Sequence, residues 1–273
     1  MMRRIKPYIL LFLLAWPLSA FSAQTAISDS VSNSARAPTT TVKVLIDGKN
    51  ALQLTYSQSP PRLSQVVMDV LKSEQKNTTD FDWLSSALYD LDTPERDWSP
   101  VLDAATQQLH VSSEATRGQW EAFLKQVKSM HFSVRFSGSV DPDYTRLAIK
   151  NNPSLTGHYL LSLNSENKTH GVTVLGNVHA AKSYPWQPKQ SIQDYLALAQ
   201  PLDHTLGEIW VIQPDGKVYQ PKIGYWNSQA FNLAPGAILY VPMDVDTDKP
   251  LPTSPGKNLN QLIVELLSNN VFS

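Results

Sequence analysis

Four stretches in the second half of the chain decide its fold: GVTVLGNV (171–178), SIQDYLALA (191–199), EIWVIQPDGKVYQPKIGYWN (208–227) and APGAILYVP (234–242). They read in turn as strand, helix, hairpin and closing strand, with a turn signal at each junction. Ser191, three residues before Asp194, forms a capping box ahead of Ile192–Ala199. Pro214-Asp215-Gly216 is a hairpin turn between two apolar-alternating runs, and Pro235-Gly236 turns into the last strand. A small sheet wrapped on one helix is the plan of a β-grasp module, which more often binds than catalyses.

The first half follows the same plan with an interruption. TVKVLIDGKNALQLTY (41–56) alternates apolar residues at Val42, Val44 and Ile46, turns at Asp47-Gly48 and resumes with Leu52 and Leu54, a hairpin signal. RLSQVVMDVLK (62–72) spaces Leu63, Val66, Val67, Val70 and Leu71 along one helical face. From about 80 to 130 the pattern reads as helical: DFDWLSSALYDLD, PERDWSPVLDAATQQLH and SSEATRGQWEAFLKQVKSM. The last carries an apolar stripe at Trp120, Phe123, Leu124 and Val127. Strand character returns in HFSVRFS (131–137), with Phe132, Val134 and Phe136 on one face and Ser133, Arg135 and Ser137 on the other. Asp141-Pro142-Asp143 and Asn151-Asn152-Pro153 read as turns, and GHYLLSL (157–163) as a closing strand.

The fold class expected is therefore α+β, with two β-grasp modules and a C-terminal amphipathic helix. Module 1 spans 41–167 with a helical insertion at about 80–130, and module 2 spans 168–243. A proline-rich linker (244–257) leads to the helix at 258–273. There Leu259, Leu262, Ile263 and Leu266 recur at helical spacing opposite Gln261, Glu265, Ser268 and Asn269. About 15 residues of helix reach roughly 22 Å, short of a membrane core of about 30 Å. Its apolar face needs cover from this chain, a partner protein or a multi-subunit collar.

The N-terminal region carries an export signal. Arg3, Arg4 and Lys6 precede a short apolar core, Tyr8 to Ala15, and small residues follow at Ser19, Ala20, Ser22 and Ala23, the layout of a secretory signal peptide over 1–23. Residues 24–40, rich in Ser, Thr and Ala, read as a flexible tether. No cysteine is present, which excludes disulfides, thiol catalysis, thiolate metal sites and a lipoprotein anchor. Three of the 23 Lys and Arg lie in the leader, leaving 20 against 24 Asp and Glu, a net charge of −4. Without a basic field, nucleic acid is not an expected partner.

Export leader, interrupted β-grasp, second β-grasp, proline linker and terminal helix together resemble the GfcC family of capsule biosynthesis. The finer matches are Arg135, then Asp-Pro-Asp (141–143) and Arg146, with PDGKV (214–218), YWN (225–227) and APG (234–236) in module 2. The resemblance implies a periplasmic accessory protein for capsule or exopolysaccharide production. It also implies sheet modules akin to the ligand-binding β-grasp domains of Wza-type exporters. In that family an arginine at the place of Arg135 is associated with a pocket, so the ligand-binding candidates are Arg135, Asp141, Asp143 and Arg146.

On the residues alone, Arg135 reads as a solvated cation or a partner of Asp141 or Asp143. A functional reading presents its guanidinium fork to a glycan carboxylate, phosphate or hydroxyl pair. Asp244, Asp246 and Asp248 have the spacing of a calcium loop, but Lys249 and Pro255 stand where glycine and glutamate belong. The six histidines show no paired ligand spacing, and no G-x-S-x-G is present. No metal, cofactor or catalytic residue is expected. Trp186, Tyr225 and Trp226 lie in loop-like context and suit sugar faces, although most aromatic residues serve packing. The expected function is a non-enzymatic periplasmic accessory of polysaccharide assembly or export that binds glycan or an export-machinery protein. The alternatives are a polysaccharide-modifying enzyme with a pocket near Arg135 and an adaptor that docks through its terminal helix.

Overall fold

The computed structural model describes residues 39–93, 97–168, 170–203, 207, 209–224, 230–245 and 256–271. The leader, nearly all of the tether, the YWN motif, His204, Asp246, Asp248 and the linker prolines Pro250, Pro252 and Pro255 lie outside these residues.

Module 1 opens with the hairpin β1 (Thr40–Ile46) and β2 (Lys49–Tyr56). Asp47 and Gly48 both have positive φ, 52° and 79°, the backbone that a two-residue hairpin turn requires. Helix α1 (Leu63–Ser73) follows, then β3 (Phe81–Asp90). Next come α2 (Ser99–Val111), α3 (Glu114–Val127), β4 (Val134–Arg135), α4 (Pro142–Leu147) and β5 (His158–Ser165). The strands order as β2-β1-β5-β3-β4. Strand β5 runs parallel to β1, starting from Thr41 opposite His158, and antiparallel to β3. Val42, Val44, Leu161 and Leu163 point at Leu63, Val66, Val67 and Val70 of α1, forming a fully buried core.

Two expectations for this module are corrected. The segment 81–90 is a strand, not a helix, so the inserted α-helices begin only after Asp90. Phe81, Leu84, Leu88 and Leu91 recur at helical spacing, but Leu84 and Leu91 are 45% and 43% exposed. Pairing with β5 imposes period 2 instead: Leu88 faces the α1 core, while Ala87 and Tyr89 face the opposite side. The ladder is irregular between Asp82 and Ala87, where the Ser86 hydroxyl donates to the Asp82 carbonyl at 2.7 Å. The strand expected over 131–137 also contracts to Val134–Arg135. Phe132 bridges Asn270 and Ser133 N donates to Asn269 O, so the C-terminal segment takes the ladder positions. As a result Phe132 and Phe136 pack against different cores.

Module 2 repeats the plan with β6 (Val172–Gly176), β7 (Lys182–Tyr184), α5 (Ile192–Ala199), β8 (Trp210–Ile212), β9 (Val218–Tyr219) and β10 (Ile238–Val241). Its order, β7-β6-β10-β8-β9, is that of module 1 position for position, including the parallel central pair β10 and β6. The Ser191–Asp194 capping box forms as expected. Val172, Val174, Val211 and Leu239 pack against Ile192, Tyr195 and Leu196 of α5.

A β-grasp sheet has one helix for two faces, so its second face needs other cover. Here α2, α3 and the terminal helix α6 (Leu259–Ser268) supply it. Trp120 and Phe123 of α3 meet Leu175, Ile212, Ile238 and Tyr240 of module 2, together with Leu262, Ile263 and Leu266 of α6. Burying one such aliphatic side chain stabilises by about 1.5–3 kcal/mol. The apolar stripe of α6 is thus covered by its own chain, and it is not an exposed face for docking on a channel. Asn260 locks the helix to the sheet. Its Oδ1 accepts from Tyr240 Oη at 2.6 Å and Met243 N at 3.0 Å, and its Nδ2 donates to Met243 O at 3.0 Å. No helix among the described residues is long and apolar enough to cross a membrane.

Candidate functional site

The insertion brings the two modules together beside β4, and a cleft of about 670 Å³ opens at the junction. Trp83, Leu84 and Ser86 of β3 form one wall, with Arg135, the 137–139 turn, Asp141 and Tyr144 beside them. The opposite wall is the β8–β9 turn, Asp215, Gly216 and Lys217, and the end of α6 contributes Ser268 and Asn269.

Arg135 sits where these parts meet. It pairs with Tyr89 in the ladder, and its backbone N–H donates to Asn269 Oδ1 at 3.3 Å. Its guanidinium carbon lies 5.9 Å from the Tyr89 ring centroid, within cation–π range. Gly216, at φ +80°, closes over the side chain: a Cβ there would lie 3.0 Å from Arg135 Cδ and 3.2 Å from Nε. Burial draws the guanidinium below its ordinary pKa, while Tyr89 and Asp215 oppose that shift. The ordinary value is high enough that the group keeps its charge.

The other charges are partly committed. Asp215 Oδ2 accepts from Lys217 Nζ at 2.7 Å, and that hydrogen bond raises the lysine above its usual value. Asp141 caps α4 by accepting from Asp143 N at 2.8 Å, and its own N–H donates to Ser139 Oγ. Trp83 is held by Nε1 donating to Thr78 O at 2.9 Å. The cleft therefore offers a desolvated guanidinium, a salt-bridged lysine and two aromatic rings. Its two carboxylates are engaged in a cap and an ion pair. This chemistry suits recognition of a polar, partly anionic ligand.

Of the four candidates, the structure brings Arg135 and Asp141 into one cleft. Asp143 and Arg146 form an exposed pair at 3.6 Å on α4 and do not line it. Asp141-Pro142-Asp143, read as a turn, is the start of that helix. Sequence reasoning missed Asp215, Lys217, Trp83 and Tyr144 as cleft residues. The one available signal was PDGKV, read as a hairpin turn and a family match but not as part of a site. Among the described residues no three His, Asp or Glu side chains converge as metal ligands.

Comparison with known proteins matches the chain in two parts. The family profile described as "Capsule biosynthesis GfcC, N-terminal" matches residues 38–165, and "Capsule biosynthesis GfcC C-terminal" matches residues 180–272. The chain is also similar to a protein of Escherichia coli (strain K12) called "Uncharacterized protein YjbG". It is 28% identical over 149 residues, 54% of this chain and 59% of the relative. The aligned region thus spans less than two thirds of that relative's length. With both halves matched in order, the chain belongs to the GfcC family of capsule biosynthesis proteins.

Proposed function

We propose that this protein is a non-enzymatic periplasmic accessory of capsule or exopolysaccharide assembly and export, and that its inter-module cleft binds glycan through Arg135. The observation that carries the reading is the position of Arg135. It is a charged fork held at the junction of two modules, under Gly216 and beside Lys217. The non-enzymatic part is supported by Asp141 and Asp215, whose carboxylates already serve a helix cap and an ion pair. The export leader of 1–23 supports the periplasmic location.

The test is incubation of the mature protein with its native polysaccharide, reading both binding and product size. The expected result is binding with no change in chain length. Shortened or modified product would overturn the non-enzymatic reading. Fractionation of cells with N-terminal sequencing tests the location: a periplasmic form cleaved near residues 22–23 is expected, and a cytoplasmic full-length form contradicts it.

A protein partner in the export machinery is a second reading, favoured by one surface. Leu147 at the end of α4 and Ile149 just beyond it, each 77% exposed, lie a few residues past Tyr144, which lines the cleft. Crosslinking from these positions to an export protein, lost in Leu147→Asp, is the expected outcome; unchanged crosslinking speaks against it.

A further inference from the structure

On another part of the surface, two adjoining hollows of about 230 and 540 Å³ run between the connector from β5 to β6 and the edge strand β7. They share His170, Gly171 and Ser183, and they share no residue with the Arg135 cleft. The larger falls in the volume range of small-molecule sites, roughly 300–1,000 Å³.

Three features give this groove a ligand chemistry. Trp186 lines it half-buried, and its indole is fixed by Nε1 donating to Leu233 O at 2.8 Å. Tyr184 beside it is anchored through its hydroxyl to Ala180 O at 2.6 Å and Leu198 O at 3.1 Å. Trp186 thus offers an aromatic face already fixed in place, while Tyr184, 6% exposed, belongs to the core of module 2. Second, His170 lines both hollows, although its Nε2 is shut away from solvent without a hydrogen-bond partner and so is not itself a contact for a ligand. Burial first, and then Lys168, hold that imidazole below its ordinary pKa, against Asp82 and Asp47, so near neutral pH it is uncharged. Third, among the described residues the lining itself carries a cation and no acids, with Asp47 and Asp82 close enough to act on His170 from outside it. Lys168 lines the groove and Lys182 stands over the Tyr184 ring at 5.1 Å. No Asp or Glu lines either hollow among the described residues, in a chain with more acids than bases.

We infer that this groove is a second saccharide subsite for a sugar ring bearing a carboxylate: Trp186 stacks on the ring while Lys168 engages the anionic side, with the uncharged His170 ring lining the site between the two hollows. The choice of a sugar rests on the glycan-binding reading above; the location and the preference for an anion rest on the groove itself.

The probe is a glucuronate-containing disaccharide, with its carboxyl-reduced counterpart as control. Binding is read by saturation-transfer NMR and calorimetry on the wild-type chain and on Arg135→Ala, which silences the other cleft. The expected result is that Arg135→Ala still binds the acidic disaccharide, and binds the reduced one about tenfold more weakly, as loss of a charged hydrogen bond implies. Adding Trp186→Ala or Lys168→Ala to Arg135→Ala removes the signal, while Trp186→Phe keeps part of it. Circular dichroism verifies that each variant is folded, and His170→Gln serves as a further variant that retains hydrogen-bonding atoms. The inference is overturned if Arg135→Ala fails to bind, if the groove substitutions change nothing, or if the two disaccharides bind alike. Binding by wild type but not by Arg135→Ala would leave the cleft reading intact and remove this one. Binding lost only in the groove variants would do the reverse.

Discussion

At the scale of single residues, Gly216 and Arg135 form one unit across two modules. The turn needs positive φ at 216, and the guanidinium stem fills the space where a side chain would go. Gly216→Ala therefore meets two obstacles, a left-handed backbone unfavourable by about 1–2 kcal/mol for an L-residue and a contact on Arg135 Cδ. Loss of about 1–2 kcal/mol in urea unfolding is expected, together with weaker glycan binding, although residue 216 offers no side chain to the ligand. Asp47 makes a different case. Burial would raise its pKa, but hydrogen bonds from Ser165 N at 2.9 Å and Ser165 Oγ at 2.7 Å hold it below the ordinary value. A depressed carboxylate contributes stability above its unfolded pKa of about 4 and loses it as pH falls through the folded value. Asp47→Asn keeps an acceptor and tolerates the turn, so it should be less stable at pH 7 by about 1 kcal/mol. That gap should close below about pH 4, and a pH-independent gap would rule out the charge as its source.

Among elements, α6 is the most exacting. Its helical stripe was legible because Leu259, Leu262, Ile263 and Leu266 obey period 3.6, and its capping box forms between Asn258 and Gln261. Its cover was not legible, because periodicity marks which face is apolar and not what lies against it. The structural answer is the open face of module 2, joined through Asn260. Asn260→Ala would leave the buried Tyr240 hydroxyl without its acceptor, at a cost of roughly 2 kcal/mol. Adding Tyr240→Phe should recover part of that loss in a double-mutant comparison; simple additivity of the two losses would contradict the assignment. Strand β3 shows the reverse limit. Its apolar residues at 81, 84 and 88, with Leu91 just past its end, imitate a helix, and only pairing with β5, more than 60 residues away in sequence, selects the strand.

For the whole molecule, the shared plan of the two modules was legible in the order of elements, and the two sheets have the same strand order. The site was legible only in part. Arg135 came from family resemblance, since its strand pattern put it on a polar face, whereas Asp215 and Lys217 reach it through the docking of two modules that no local period encodes. That docking rests on a core shared by the insertion, module 2 and α6. Trp120, fully buried there and 6.0 Å from Phe123 in an edge-to-face pair, should cost about 3–5 kcal/mol when replaced by Ala. A shared core predicts that Trp120→Ala still unfolds in one transition at lower urea; early melting of one module alone would contradict it. The central claim is that the junction binds glycan through Arg135. Calorimetric titration of native polysaccharide fragments into wild type and Arg135→Ala tests it most directly. Affinity lower by roughly tenfold to a hundredfold is expected in a folded variant, and equal affinity in the two proteins would contradict glycan binding through Arg135.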